Sequence, residues 1–162
     1  MAACSVSQTP ISLKVKIRRE FMYILKTEEC FDSAHFLSGY KGKCSNIHGH
    51  RWKVEIQICA DKLREDAQTR GMIVDFGKLK DDLKKEVDYF DHTMIIEEGT
   101  LKEKTMDAMC EEGFLIREVK FRPTAENFAK YFYDVMSRAG YTVNMATVYE
   151  TPNNCASYRN GE

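Results

Sequence analysis

The residues from Cys44 to Ala60 constrain this chain more than any other stretch. They open as Cys-Ser-Asn-Ile-His-Gly-His and run straight into an alternating segment. From Arg51 to Ala60, Trp52, Val54, Ile56 and Ile58 have one parity, and Lys53, Glu55, Gln57 and Cys59 the other. That period of two predicts a strand buried on one face. His48 and His50 share the parity of Trp52. If the strand begins that early, both imidazoles point to one side, ~7 Å apart at Cα. Two nitrogens at that spacing can converge on one ion, and Gly49 between them allows close backbone approach.

Three of the four histidines are His35, His48 and His50. His35 lies on a neighbouring segment that can fold back beside the pair. Three neutral imidazoles suit Zn²⁺ and leave one tetrahedral position open, as in catalytic zinc sites. Cys44 admits three readings: a fourth ligand that closes the site, an unligated thiolate acting as a base, or a small buried hydrophobe. Asp91-His92 reads either as a helix C-terminal cap or as an acid–base couple. Thr124 and Glu126 fit a helix N-cap and a first-turn acid. Glu150 ends an apolar strand. It is a surface charge there, or a carboxylate accepting paired N–H donors from a heterocycle.

The net charge of −1 over 162 residues argues against a non-specific nucleic-acid binder. Six cysteines without C-x-x-C spacing read as mostly free thiols of a reducing compartment. No apolar run approaches the ~18 residues of a membrane span. No apolar h-region precedes Lys14, Lys16, Arg18 and Arg19. The expectation is a cytoplasmic protein with an N-terminal extension over 1–18 and a single domain over 19–162.

The pattern predicts a strand from Arg19 to Phe31, a loop around Gly39 and Gly42, and the strand Arg51–Ala60. A turn follows over Asp61–Gly71, then a short apolar strand end at Met72–Phe76. Phe76, Leu79, Leu83, Val87 and Phe90 recur at helical spacing, in a helix ending near Asp91-His92. Residues 97–113 read as a charged loop with at most a helical turn, and Phe114–Phe121 as a strand. A helix capped by Thr124 carries Phe128, Phe132, Val135 and Met136 and ends at Gly140. Tyr141–Glu150 is a further strand, and Ala156-Ser157-Tyr158 can pair in the tail. This order predicts an α+β fold, a mixed antiparallel sheet with helices on one face.

These residues form an ordered set: Phe31-x3-His35, Cys44-x3-His48-Gly-His50, Val74-Asp75-Phe76, Asp91-His92, Pro123-Thr124-Ala125-Glu126-Asn127 and Glu150-Thr151. Over roughly residues 20 to 162 the set resembles the 6-pyruvoyl-tetrahydropterin synthases and the related 6-carboxytetrahydropterin synthases. The ending Tyr158-Arg159-Asn160-Gly161-Glu162 resembles theirs too. The resemblance implies the tunnelling fold: a four-stranded antiparallel sheet with two helices on one face. Trimers would close into a barrel, and two trimers would stack into a homohexamer with active sites between subunits. It implies Zn²⁺ on His35, His48 and His50, Cys44 as catalytic thiol with Asp91 and His92 as acid–base partners, and Glu150 and Thr124 contacting the pterin.

The three residues between Cys44 and His48 resemble the carboxy-forming branch of queuosine biosynthesis; the animal pyruvoyl enzymes have five. The implied activity is a zinc-dependent carbon–carbon lyase. It would convert 7,8-dihydroneopterin triphosphate to 6-carboxy-5,6,7,8-tetrahydropterin, acetaldehyde and triphosphate. The alternatives are the pyruvoyl-forming carbon–oxygen lyase and a non-catalytic zinc-stabilised binding protein. The expected partner is a small pterin triphosphate, with no nucleic acid and no membrane. Lys41 and Lys43 lie close enough in sequence to meet phosphate. The segment Glu97–Gly113 is longer than the resemblance leads one to expect.

Overall fold

Burying the face that carries Trp52, Val54, Ile56 and Ile58 requires a partner strand and a helical cover, and the chain supplies both. A computed structural model describes residues 22–161. Strand β1 (Tyr23–His35) pairs antiparallel with β2 (His48–Ala60) along its whole length. Then come α1 (Phe76–Asp88), β3 (Thr93–Glu97), α2 (Glu103–Glu111), β4 (Ile116–Val119), α3 (Ala125–Arg138), β5 (Val143–Thr151) and β6 (Asn154–Tyr158). The sheet order is β4-β3-β1-β2-β5-β6. The expected extension over 1–18, the first residues of the strand expected from Arg19, and Cys4 lie outside the described residues.

The anticipated periodicities have direct structural counterparts. Trp52, Val54, Ile56 and Ile58 are at most 1% exposed, as are Leu79, Leu83 and Val87 of α1 and Phe128, Phe132 and Met136 of α3. They form one core between the sheet and these two helices. Asp75 caps α1 by accepting from the Lys78 N–H at 3.1 Å. Thr124 caps α3 by accepting from the Asn127 N–H at 3.5 Å. Gly140, at φ 95°, ends the turn after α3 in the left-handed region, where a Cβ is strained.

Several expectations are corrected. Among the described residues the sheet has six strands rather than four. β1, β2, β5 and β6 are antiparallel neighbours. β3 and β4 add two parallel strands beyond β1. β3 eluded the pattern because Thr93, Met94, Ile95 and Ile96 are all buried. A strand covered on both faces shows a continuous apolar run rather than alternation. Among the described residues there are three α-helices rather than two. The charged stretch 97–113 contains α2, whose Met106 and Met109 pack with Phe36, Met94 and Ile96 in a second, smaller core. Ile95, of opposite parity, belongs to the main core. Alternation along β3 therefore puts α2 on the other face of the sheet from α1 and α3.

Boundaries shift as well. β2 begins at His48 rather than Arg51, and β1 runs on to His35. Met72–Phe76 is not a strand: the Met72 carbonyl accepts from Arg64 in a local loop, and Asp75 is the cap of α1. α1 ends at Asp88, before Asp91-His92. The strand expected over Phe114–Phe121 is limited to β4, and the tail pairs over all of β6.

One polar cluster fastens α1 to the entry of β5. Tyr141 donates its hydroxyl to Asp82 Oδ2 at 2.7 Å, and Lys78 and Lys85 reach the same carboxylate. Lys78 first and Tyr141 second hold the Asp82 carboxyl far below the usual carboxylate range. Burial, then Asp82, pushes the Tyr141 phenol up. Tyr141→Phe is expected to lower the unfolding free energy by about 1 kcal/mol at neutral pH, read by urea denaturation. A depressed folded-state pKa contributes stability above the unfolded value of about 4 that disappears as the carboxylate protonates. The difference from the parent chain should therefore narrow as the pH falls below that value.

Candidate metal centre

The β1–β2 ladder places His35 opposite His48, Ser33 opposite His50 and Phe31 opposite Trp52. One ligand nitrogen from each of the three histidines lies within 4.8 Å of the other two, in a group that could hold a metal ion. The rings lie 4.4 Å (His35–His48), 5.0 Å (His48–His50) and 5.2 Å (His35–His50) apart by centroid. Gly49 keeps the two strands close: a Cβ there would lie 3.3 Å from the Ser33 carbonyl oxygen on the facing strand, a tight contact.

The hydrogen bonds assign the ring nitrogens. His35 Nδ1 lies 2.8 Å from the Pro123 carbonyl, and His48 Nδ1 lies 2.8 Å from the Asn46 carbonyl. A carbonyl only accepts, so each Nδ1 carries the proton and each Nε2 presents a lone pair. Both Nε2 atoms are buried and have no hydrogen-bond partner. Buried, unpaired acceptors are costly unless something else occupies them. Imidazoles oriented through Nδ1 by backbone carbonyls are the usual form of histidine ligands. The residues present therefore fit a divalent metal.

Burial, opposed by the Pro123 hydrogen bond and reinforced by His48 and His50, brings the His35 pKa down to about 4. Burial also lowers that of His50, against the pull of Glu150. Both rings are thus held in the neutral form that ligation needs.

Trp52 forms the floor. It is fully buried, 4.9 Å from the His35 ring and 5.6 Å from His50, and it stacks on Phe31 at 5.9 Å with 7° between planes. Phe128 of α3 packs on it at 5.2 Å. The imidazole cluster is the outermost layer of the aromatic core.

The other candidate residues are distributed around this cluster. Glu150 comes from β5. Its Oε1 is 3.6 Å from His35 Nε2 and 3.8 Å from His50 Nε2, beyond hydrogen-bond reach, and it is not a member of the ligand group. Asp91 and His92 follow α1 and meet each other, Nδ1 to Oδ2 at 2.9 Å. They clasp Asp32 of β1: Asp91 Oδ1 accepts from its N–H at 2.8 Å, and the His92 N–H donates to its carbonyl at 2.7 Å. The Asp32 hydrogen bond first, then His92, depresses the Asp91 carboxyl. His92 sits at φ 56°, in the left-handed region, with its side chain 79% exposed. Cys44 sits in a short 3₁₀ turn (Lys43–Ser45), partly buried and not a member of the ligand group. Thr124 spends its hydroxyl on the cap of α3 and adjoins the Pro123 carbonyl that orients His35.

Two cavities meet at Gly49, His50 and Arg51. One, of about 710 Å³, includes His92, Asp32, Met109 and Phe114. The other, of about 530 Å³, includes Glu150, Tyr149 and Lys53. His50 faces both; the structure brings His92 to one side of it and Glu150 to the other. Sequence reasoning missed Asn46, Pro123 and Trp52 as supports. The parity of Trp52 pointed to its place under the histidines. Nothing local marks Pro123, which reaches His35 from 88 residues away.

The family model described as 6-pyruvoyl tetrahydropterin synthase matches residues 24–161. A protein of Haemophilus influenzae named 6-carboxy-5,6,7,8-tetrahydropterin synthase is 30% identical over 141 residues, covering 85% of this chain and 99% of that protein. A protein of the same name from Rickettsia felis is 36% identical over 131 residues, covering 76% and 90%. Among solved structures, an uncharacterised protein of Wolinella succinogenes matches with a TM-score of 0.72 at 20% identity, covering 87% of this chain and 99% of that one. Caenorhabditis elegans 6-pyruvoyl tetrahydropterin synthase matches with a TM-score of 0.62 at 21% identity, covering 88% and 99%. The structural matches show a shared fold.

A histidine whose folded-state pKa lies below its unfolded value binds its proton preferentially when the chain unfolds. Metal-free protein is therefore expected to lose stability as the pH falls from 6.5 towards the His35 value of about 4. The single-proton slope is roughly 1.4 kcal/mol per pH unit. Urea unfolding in the presence of a chelator reads it, and His35→Gln should flatten the slope.

Proposed function

Because the chain belongs to the 6-pyruvoyl tetrahydropterin synthase family, we propose that it is a zinc-dependent pterin synthase acting on 7,8-dihydroneopterin triphosphate, a lyase that eliminates triphosphate. The product assigned to it is 6-carboxy-5,6,7,8-tetrahydropterin, in queuosine biosynthesis in the cytoplasm. The observation that carries the reading is the convergence of His35, His48 and His50 with the Nδ1 atoms of His35 and His48 already committed to carbonyls. The carboxy-forming branch is favoured by the Cys44-x3-His48 spacing and by relatives bearing that name.

The residues divide the work as follows. His35, His48 and His50 hold the ion. When bound, zinc supplies Lewis-acid polarisation of an oxygen substituent and stabilises the negative charge that proton removal creates. Cys44, outside the ligand group, removes or relays a proton of the substrate side chain as thiolate. His92, oriented by the Asp91 carboxylate, moves the other. Glu150 receives the paired N–H edge of the pterin in the cavity it shares with His50. Thr124 contacts the ring from the start of α3. Triphosphate departs with its bonding electron pair. A three-carbon dicarbonyl side chain left in place is the pyruvoyl product. Adding one water and breaking the bond between its two carbonyl carbons leaves a carboxylate on the ring and releases acetaldehyde, which balances all atoms.

The domain assigned to this chemistry is 19–162, after the extension at 1–18. The assembly assigned to it is a homohexamer of two stacked trimers, each trimer closing a barrel, with active sites between subunits. Two open sheet edges support it. Between Tyr23 and Asp32, β1 has no strand partner on the side away from β2 among the described residues; β3 joins it only at Ser33–His35. β6 is the sheet's opposite margin. Unpaired edges of this kind are templates for strands of another copy.

Incubation of the zinc-loaded protein with dihydroneopterin triphosphate, followed by mass analysis, tests the reading. Acetaldehyde and the carboxylated tetrahydropterin are expected. A retained three-carbon side chain with free triphosphate would assign the pyruvoyl-forming activity instead, and no triphosphate release would refute a synthase. Cys44→Ala is expected to keep zinc and lower turnover at least ~100-fold, whereas His48→Ala loses both zinc and turnover. Equal zinc loss in the two would make Cys44 a ligand, and the site closed.

A further inference from the structure

The loop that carries Cys44 leaves β1 after His35 and returns at His48. It is closed at its base by the Leu37 N–H donating to the Cys44 carbonyl at 2.8 Å. Its interior is held from elsewhere. Arg122, just before α3, donates from Nη2 to the Ser38 carbonyl at 2.8 Å, across 84 residues of sequence. The same guanidinium lies over the Tyr40 ring, 5.8 Å from its centroid, within cation–π range. Its Nε is buried and has no hydrogen-bond partner among the described residues, so the contacts that tie the head group to the loop are those with Ser38 and Tyr40.

Tyr40 passes the constraint on. Its ring lies against Gly42: a Cβ added there would meet Tyr40 Cε1 at 2.5 Å. The Gly42 carbonyl in turn accepts from the Ser45 N–H at 3.1 Å and the Ser45 hydroxyl at 2.8 Å, which forms the turn holding Cys44. At its other end, Arg122 is fixed by its own backbone. Its carbonyl accepts from the Thr124 N–H at 2.8 Å and from Asn127 Nδ2 at 3.0 Å. The next residue, Pro123, supplies the carbonyl that orients His35. Arg122-Pro123 thus grips the imidazole cluster with a carbonyl and the thiol-bearing loop with a guanidinium.

We propose that Arg122 is a positioning residue that fixes Cys44 relative to the imidazole cluster, acting through Ser38, Tyr40 and Gly42. The proposal rests on the synthase reading only in giving Cys44 a chemical role; the physical coupling stands apart from it. Lysine cannot reproduce the planar head group on Tyr40 but can still reach the Ser38 carbonyl, so Arg122→Lys should rescue in part what Arg122→Gln loses.

The test compares Arg122→Gln, Arg122→Lys and Gly42→Ala in the full chain. Gly42→Ala disturbs the same path without touching Arg122. Tyr40 is half-exposed, so its ring can swing away without unfolding the chain. Three quantities are read: zinc content, kcat and KM for dihydroneopterin triphosphate, and the iodoacetamide alkylation rate of Cys44 followed by peptide mass analysis. Expected for Arg122→Gln and Gly42→Ala are full zinc content, kcat lower by about tenfold to a hundredfold, KM little changed, and Cys44 alkylation several-fold faster. Arg122→Lys should fall between these and the parent.

Unchanged kcat and alkylation in Arg122→Gln and Gly42→Ala would overturn the proposal. So would zinc loss parallel to activity loss, which would make Arg122 a support of the metal site, or a rise in KM alone, which would make it a substrate contact. If the parent protein does not turn over the pterin, the synthase reading fails. The alkylation rates still decide whether Arg122 holds the thiol.

Discussion

Register between β1 and β2 is the constraint on which everything else depends. Thirteen consecutive antiparallel pairs bring His35 against His48 and Phe31 against Trp52. A slip of one residue would turn His48 and His50 to the face that carries Arg51 and Lys53 and expose Trp52. The pattern resists that slip because the buried set Trp52, Val54, Ile56 and Ile58 would be exposed with it. The same apolar burial that chooses the fold therefore aims the imidazoles. α1 and α3 are held by the face so chosen, and the turn before α3 returns the Pro123 carbonyl to His35.

Legibility from sequence tracks the range of the physical cause. Alternation along β2, helical spacing in α1 and α3, and the Thr124 cap are local, and the pattern carries them, whereas the Asp75 cap of α1 lies in what the pattern marks as a strand end. The parity of His48 and His50 with Trp52 is local too, so the residues alone put the two imidazoles on one side. β3 was hidden because a strand buried on both faces has no alternation. α2 was hidden because only Met106 and Met109 mark its covered side amid charged neighbours. The supports of the site are the least legible. A main-chain carbonyl reaching across 88 residues, or a guanidinium reaching across 84, leaves no periodicity behind. The positions of Asp91 and His92 follow from hydrogen bonds to Asp32, which nothing in the pair itself signals.

The segment between α1 and α3 changes the surroundings of the site more than its chemistry. α2 lies on the face opposite α1 and α3, and Met109 with Phe114 walls the cavity that also holds His92 and His50. Phe114 and Leu115 are 60% and 63% exposed. The lining of this cavity thus combines exposed apolar side chains with Arg51, Asp32 and His92.

The closeness of the three imidazoles along the chain has its own consequence. His35, His48 and His50 fall within sixteen residues, on two strands joined by one short loop. Closing so small a loop costs little chain entropy, so this hairpin can form before β3 and β4 join it. The parallel strands must wait for longer connections. The same proximity lets an unfolded chain chelate a metal with these side chains before any core exists. Whatever free energy the ion gives the native state is reduced by what it gives the unfolded one. A metal held tightly in the finished site can thus raise the melting temperature less than its affinity suggests, while hastening the closure of this hairpin.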